Sequence, residues 1–404
     1  MGIWKSDKLF FMLCWATYLS AYLCRINLSS ALEKMAPGLG VEIPALGLLG
    51  SLFFITYAIG QLINGFIGDR VIPKRFILIA LSGTALANLL ISLSKSYVVV
   101  LLLWCANGYF QSMFWGPLMR MLSMRFSPES GSAVATGMST SMTAAYILSW
   151  SVLGIALVNQ GWQTYFGVPF YCALFMLALW ALYLIFGRRS YTAYPAAAPN
   201  DIRILFAAIS KYRLWRVCIV CICQGIIKDG VTLWAPIILS ALLGFNMKQS
   251  PFFLILFPLA NFGGALLSGA LSKRLSGNIQ IPMRYIFSGV LLCCVLLMVP
   301  GMPAVASVIL MACISALIFG CNNILLGIVP LSFAQENIVS SLAGIFDFSA
   351  YVGAAISALA LGIVVTSQTI VPIAAFWLAA GVIAFFALLE ITPNVIEQQE
   401  ERNV

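Results

Sequence analysis

The sequence predicts an all-α membrane protein of twelve transmembrane helices in two six-helix bundles, with both termini on the cytoplasmic side. Three observations carry that expectation. First, 62% of the 404 residues are hydrophobic and only 9% are charged, where a water-soluble domain carries about 25% charged residues. Second, the apolar residues fall into twelve runs, each near the length of about 20 residues that crosses a bilayer as helix. Third, the charge between runs is lopsided. Seventeen of the 22 Lys and Arg residues lie on the side shared by the termini, and three (Lys34, Lys95 and Lys248) on the other. The basic side is the cytoplasmic one. The formal charge of +9 therefore sets topology and does not indicate a nucleic-acid partner.

The two remaining cations, Arg25 and Lys228, fall inside apolar runs. The first run extends from Leu9 to Met35, and Arg25 lies roughly 24 Å along it at 1.5 Å per residue. A charge at that depth costs about 2.5–3.5 kcal/mol or more. It must face a cavity, a counter-charge or a bound anion. Tyr18, Tyr22, Arg25 and Ser29 are spaced 4, 3 and 4 apart, so one helix face is polar. Arg25 is then either an ion-paired packing residue or an anion site in the wall of a pathway. The run is also too long for a secretory signal peptide.

A loop from Pro37 to Pro44 precedes the second run, 45–67. The densest charge cluster of the first half follows, with Gly65, Asp69, Arg70, Lys74 and Arg75. Runs at 76–93, 97–121, 132–158 and 165–186 complete the first half. Arg120 and Arg125, at the end of the fourth, read as topology determinants. The expected bundle boundaries are 1–187 and 214–391. Between them lies a cytoplasmic linker, 188–213, with a short helix from Pro199 to Lys211. The second half has runs at 215–243, 251–271, 283–300, 303–328, 340–365 and 370–391, then an acidic tail, 392–404. Most of the eleven cysteines sit in apolar runs and behave as small hydrophobic side chains. Cys218, Cys221 and Cys223 cluster, but the chain has no histidine, and neither a metal site nor a cofactor is expected.

The second half repeats the first at an offset of 204 residues. Gly65–Arg70 falls on Gly269–Arg274, which brings in Lys273 and Arg274, and Trp115-Gly116 falls on Phe319-Gly320. Arg25 falls within one residue of Lys228. Parallel repeats about an axis along the membrane normal mark a carrier with a central site. Gln224, Lys228 and Thr232 share a helix face, and the acids Asp229 and Asp347 lie within spans. Lys228 either closes an ion-pair network with Asp229 or Asp347, or forms half of an anion clamp that an acid tunes.

These residues resemble a known family. Gly65–Arg75 is similar to the loop motif of the major facilitator superfamily. Tyr22-Leu-Cys-Arg25-Ile-Asn27, Asn107-Gly-Tyr-Phe-Gln111-Ser-Met-Phe-Trp115-Gly-Pro117 and Lys228-Asp-Gly-Val-Thr-Leu-Trp234-Ala-Pro236 resemble the organophosphate:phosphate antiporter family. The resemblance implies the major facilitator fold and rocker-switch alternating access. It implies a multi-pass protein of the bacterial cytoplasmic (inner) membrane that exchanges glycerol-3-phosphate or hexose-6-phosphate for phosphate. In that family, arginines of the first and seventh spans hold the phosphate, aided by a histidine of the fifth. Arg25 matches the first arginine, Lys228 stands where the second is expected, and the histidine has no counterpart. A lysine keeps the charge but not the planar fork, which opens the site to carboxylates and other organic anions.

The expected site therefore has Arg25 and Lys228 on one anion, with Tyr18, Tyr22, Asn27, Gln111, Trp115, Gln224 and Trp234 shaping the pocket. Asp229 and Asp347 balance charge or couple to a proton. Gly65, Asp69, Arg70, Lys74, Arg75, Lys273 and Arg274 form a cytoplasmic gate or a solvated loop that only sets topology. The partners are a small anionic substrate, phosphate or a proton as counter-substrate, and the bilayer; a monomer is expected. A sensor that binds an anion without turnover is an alternative, as is a proton-coupled importer or exporter of another molecule. An enzyme is not expected, because no histidine, paired carboxylates or cysteine–base constellation is present.

Overall fold

The computed structural model describes residues 7–68, 71–123, 125–126, 131–186, 202–246, 249–274, 280–331, 333, 339–367 and 369–389. The helices in chain order are α1 Asp7–Leu39, α2 Ile43–Gly68, α3 Pro73–Leu93, α4 Tyr97–Gln111, α5 Trp115–Ser123, α6 Gly131–Ile147, α7 Gly154–Ala156 and α8 Thr164–Phe186. They continue as α9 Ile202–Lys211, α10 Leu214–Ile237, α11 Ser250–Leu254, α12 Leu256–Arg274, α13 Gln280–Leu297, α14 Ala304–Asn323, α15 Val329–Leu331, α16 Val339–Val364 and α17 Val371–Leu389. Among the described residues, eleven helices are long and apolar enough to cross a membrane. The twelfth expected span, at 132–158, is also helical. It runs as α6, a π-helical turn Leu148–Leu153, and α7. With no water in hydrocarbon to bond backbone amides, helix is the form such runs must take.

Breaks in the helices follow residue chemistry. Gly40, Gly244 and Gly301 take positive φ where α1 ends, where the π turn Ile238–Leu242 ends and between α13 and α14. The fourth run is expected as one helix, but it bends between α4 and α5. Pro117 has no N–H to offer the Met113 carbonyl. Ser112 Oγ bonds the Tyr109 carbonyl at 2.6 Å and accepts from Asn64 Nδ2 at 2.6 Å. Pro236 and Pro330 flank two further π turns, Ile238–Leu242 and Ile324–Ile328. π turns of this kind gather at functional positions.

The chain divides into two compact units. The first comprises 1–42 and 55–197, the second 43–54 and 198–404. Residues 43–54 were expected in the N-terminal bundle. They pack within the second unit because Gly47 lies against the Ala358 carbonyl and Gly362, and Gly50 against Leu233. In the first unit, α1 packs on α6 and α8, and α3 on α4 and α8. Its core includes Leu13, Cys14, Ile77, Leu81, Phe114, Leu118, Met138 and Trp180. Trp15 Nε1 donates to Thr140 Oγ1 at 2.8 Å, and Trp180 Nε1 to Thr17 Oγ1 at 2.9 Å. In the second unit, α10 is enclosed by α16, α17 and α14, and α12 lies along α14. Outward-facing Leu86, Leu102, Phe175, Leu267 and Phe386 are exposed, as side chains solvated by lipid must be.

Candidate functional site

In the first unit, Arg25 is half-buried at mid-helix. Its guanidinium carbon stands 4.7 Å from the centre of the Tyr57 ring on α2 and 5.4 Å from that of Tyr22. An aromatic face attracts a cation, more strongly where water is excluded. The expected polar stripe is present and continues into an aromatic cluster. Tyr18 lies 5.0 Å from Tyr22 and 5.0 Å from Trp115, and Tyr22 lies 6.0 Å from Tyr146 of α6. Tyr57 hydroxyl accepts from Gln61 Nε2 at 2.9 Å. Tyr57 and Tyr146 were not foreseen. The signal for Tyr57 is the pair Tyr57 and Gln61, one turn apart in an apolar run.

Asn27 and Gln111 were expected to shape the pocket, but both are buried in a network inside the unit. Asn27 Nδ2 donates to Asn88 Oδ1 at 2.7 Å. Gln111 Nε2 donates to the Ala21 carbonyl at 3.0 Å and to Thr84 Oγ1 at 2.8 Å. Asn107 Nδ2 donates to the Cys24 carbonyl at 2.9 Å, and Thr84 Oγ1 donates to Asn107 Oδ1. Two residues along a helix is about 200° of rotation, so Asn27 points away from the Arg25 face and into α3.

In the second unit, Lys228 and Gln224 share a face of α10, as expected, and converge on Asn322 at the end of α14. Gln224 Nε2 donates to Asn322 Oδ1 at 3.0 Å, and Lys228 Nζ lies 3.4 Å from the same oxygen. Lys228 Nζ also lies 5.5 Å from the centre of the Tyr351 ring on α16 and 3.3 Å from Asp229 Oδ2. Asp347 is half-buried on α16. Asn322 thus joins a cluster in which sequence reasoning placed Gln224, Lys228, Thr232 and the two acids, with Tyr351 on the face of Asp347. Consecutive asparagines, Asn322 and Asn323, inside an apolar run were the readable signal. Trp234 does not join it. It is fully buried, and its ring edge lies against Gly362. Six residues from Lys228 is about 240° round the helix, which turns Trp234 into helix packing.

Of the expected gate residues, Asp69 and Arg70 lie outside the described residues. Gly65, Lys273 and Arg274 are in helix, at the ends of α2 and α12. Lys74 stands 4.9 Å over the Tyr183 ring and Arg75 is exposed. Arg125, expected only to set topology, also pairs with Asp7 at 2.6 Å in the first turn of α1, where a carboxylate complements the helix dipole.

A "Probable hexose phosphate transport protein" of Chlamydia trachomatis is 25% identical over 299 residues, covering 67% of this chain and 65% of that protein. The chain thus spans just under two thirds of the length of that relative. The membrane sensor protein UhpC of Escherichia coli is 23% identical, covering 85% of this chain and 82% of its own length. The glycerol-3-phosphate transporter of Bacillus subtilis is 25% identical, covering 83% and 81%. The solved structure of the nucleoside transporter NupG matches with a TM-score of 0.72 at 14% identity, covering 96% of this chain and all of that one. That is a likeness of fold alone. The sequence profile of the Major Facilitator Superfamily matches residues 14–358. With a match of that extent on a fold of this kind, the chain belongs to the Major Facilitator Superfamily.

Proposed function

We propose that this protein moves a small organic anion, a sugar phosphate or a related phosphorylated or carboxylated metabolite, across the bacterial cytoplasmic membrane by alternating access. Membership of a transporter family makes it a multi-pass membrane protein and not an enzyme. Similarity to a hexose phosphate transport protein and a glycerol-3-phosphate transporter supports the substrate class. The observation that carries the reading is Arg25, a guanidinium at mid-span flanked by the Tyr57 and Tyr22 rings.

In this reading Arg25 and Lys228 bind the anion from the two halves of the repeat. Tyr18, Tyr22, Tyr57 and Trp115 accompany Arg25 in the first unit, and Gln224, Asn322 and Tyr351 accompany Lys228 in the second. An anion offers both cations a shared partner, so it binds better when they approach, and that differential affinity drives the conformational cycle. Lys74 and Arg75 at the start of α3 and Lys273 and Arg274 at the end of α12 act as the cytoplasmic gate, together with Gly65 near the end of α2 and Asp69 and Arg70 of the sequence between α2 and α3.

The test is purified protein in liposomes loaded with phosphate, assayed for exchange against glucose 6-phosphate, glycerol 3-phosphate and short carboxylates. Wild type should exchange at least one, Arg25→Ala none, and Arg25→Lys at a reduced rate because a bidentate contact is lost. Exchange that survives Arg25→Ala would overturn the reading. The resemblance to UhpC supports a second one, a sensor. Saturable binding of a probe without exchange would select it.

A further inference from the structure

The helix α9, in the sequence between the two sets of spans, has a face that nothing so far explains. Its Leu205 and Ala208 are buried, and α9 packs on α10. Tyr212, just beyond α9, lies edge-on to Phe333 at 5.3 Å. One side of the helix is therefore already seated. Phe206 lies on the other side, 63% exposed, with exposed Ala207, Ser210 and Lys211. A helix that faces water carries polar residues at such a position. Trp215, in the first turn of α10, is 48% exposed. The Arg216 guanidinium carbon stands 4.8 Å from the centre of its ring. Residues 202–216 hold Arg203, Lys211, Arg213 and Arg216 and no acid.

The corner between the two helices is the second observation. Arg213 caps α10 with φ +52°, and among the described residues no other non-glycine has a positive φ. An arginine held there is strained, and such strain gathers at functional positions. Glycine would turn the same corner without that cost, so the arginine side chain is what the strain retains. Arg213 and Lys211 are both exposed and lie in sequence between the two exposed rings.

We propose that α9 and the first turn of α10 form a docking surface for anionic phospholipid of the cytoplasmic leaflet. Phe206 and Trp215 enter the boundary between headgroups and acyl chains, where aromatic rings and the apolar face of an amphipathic helix settle. Lys211 and Arg213 meet the lipid phosphates, as basic residues beside a span do on a negatively charged leaflet. An acidic soluble protein would satisfy the cations and leave two large rings in water. Charge and rings together select lipid. The surface is separate from the anion site, and its test does not depend on which cargo is carried.

The full-length protein is placed in nanodiscs of phosphatidylcholine, with and without phosphatidylglycerol. Amide hydrogen exchange over 205–213 should slow when phosphatidylglycerol is present. In detergent, native mass spectrometry should show wild type retaining phosphatidylglycerol over phosphatidylcholine. That preference should fall about fivefold for each cation removed, in Lys211→Gln and in Arg213→Gly. Arg213→Gly keeps the corner and relieves its strain, so its thermal midpoint should hold or rise while lipid is lost. That combination excludes misfolding as the cause. Phe206→Ser should restore fast exchange over α9 even with phosphatidylglycerol present. Exchange indifferent to phosphatidylglycerol in wild type overturns the proposal, as does equal retention of the two lipids. A preference that survives in the double variant Lys211→Gln/Arg213→Gly places the lipid elsewhere and overturns it too. A two-chain mass that Phe206→Ser reduces to one assigns the face to a second copy of this chain and overturns it likewise.

Discussion

The side-chain amide of Asn107 donates to the carbonyl oxygen of Cys24 at 2.9 Å, one residue before Arg25. Gln111 holds the Ala21 carbonyl one turn earlier, and Asn88 reaches the Cys24 carbonyl at 3.4 Å. Together, α3 and α4 grip the backbone of α1 immediately below its cation. The azimuth and height of Arg25 are thereby fixed inside its own unit.

Asn107→Leu should lower stability by about 1 kcal/mol, within the range measured for hydrogen bonds between membrane helices. Thermal unfolding in detergent measures it. The variant should also bind phosphate more weakly, because the carbonyl beside Arg25 has lost an anchor. Unchanged affinity in a folded Asn107→Leu protein would separate the network from the site.

Tyr57 lies against the Arg25 guanidinium. Tyr57→Leu removes a cation–aromatic contact worth about 0.5–2 kcal/mol. Anion affinity should fall by about 2- to 30-fold, measured by calorimetric titration with the exchanged substrate. Tyr57→Phe keeps the ring and should stay close to wild type.

Lys34 ends the first span with its ammonium on three carbonyls, those of Leu157, Val158 and Gln160, at 3.2, 2.8 and 2.7 Å. These lie just beyond α7, where free carbonyls and the negative end of the helix favour a cation. Lys34→Met should destabilise by about 1–3 kcal/mol, the loss expected for charge-assisted bonds. Lys34→Arg should recover part of it. The readout is again the thermal midpoint, and the exchange reaction at low temperature should be little affected.

Gly264 and Gly263 are adjacent on α12 and should respond differently. A Cβ on Gly264 would fall 1.9 Å from the Ala316 carbonyl of α14, whereas one on Gly263 meets nothing within 4 Å. Gly264→Ala must push two helices apart, at a cost of about 1–3 kcal/mol. Gly263→Ala should be neutral or slightly stabilising. Equal stability of the two variants would mean that α12 and α14 are not packed this closely.

Hydropathy and charge bias alone made the spans readable, since backbone desolvation leaves a run of twenty apolar residues one solution. The two buried cations were equally readable, because a charge in such a run stands out. What lay beyond reach was which way a polar side chain points once two or more faces of a helix are covered. Asn27 sits two residues from Arg25 and Trp234 six from Lys228. Motif resemblance drew both into the site, and helical rotation takes both out. Tyr57, Asn322 and Tyr351 reach the cations from other helices, a proximity that spacing along one chain does not encode. The bend at Ser112 was also hidden, since it depends on Asn64 of a neighbouring span.

The backbones of α10 and α16 touch. A Cβ on Gly225 would stand 1.9 Å from the Ala350 carbonyl, and one on Gly353 2.0 Å from the Ile222 carbonyl. Helices crossing this tightly have no slack to slide or roll. Lys228, Asp229 and Tyr351 are therefore mounted on one stiff pair that travels as a piece. Retargeting this half to another cargo must then proceed by exchanging side chains on a fixed frame. A selection library that varies Gln224, Asn322 and Tyr351 while holding Gly225 and Gly353 constant would sample the accessible chemistry without sacrificing the frame.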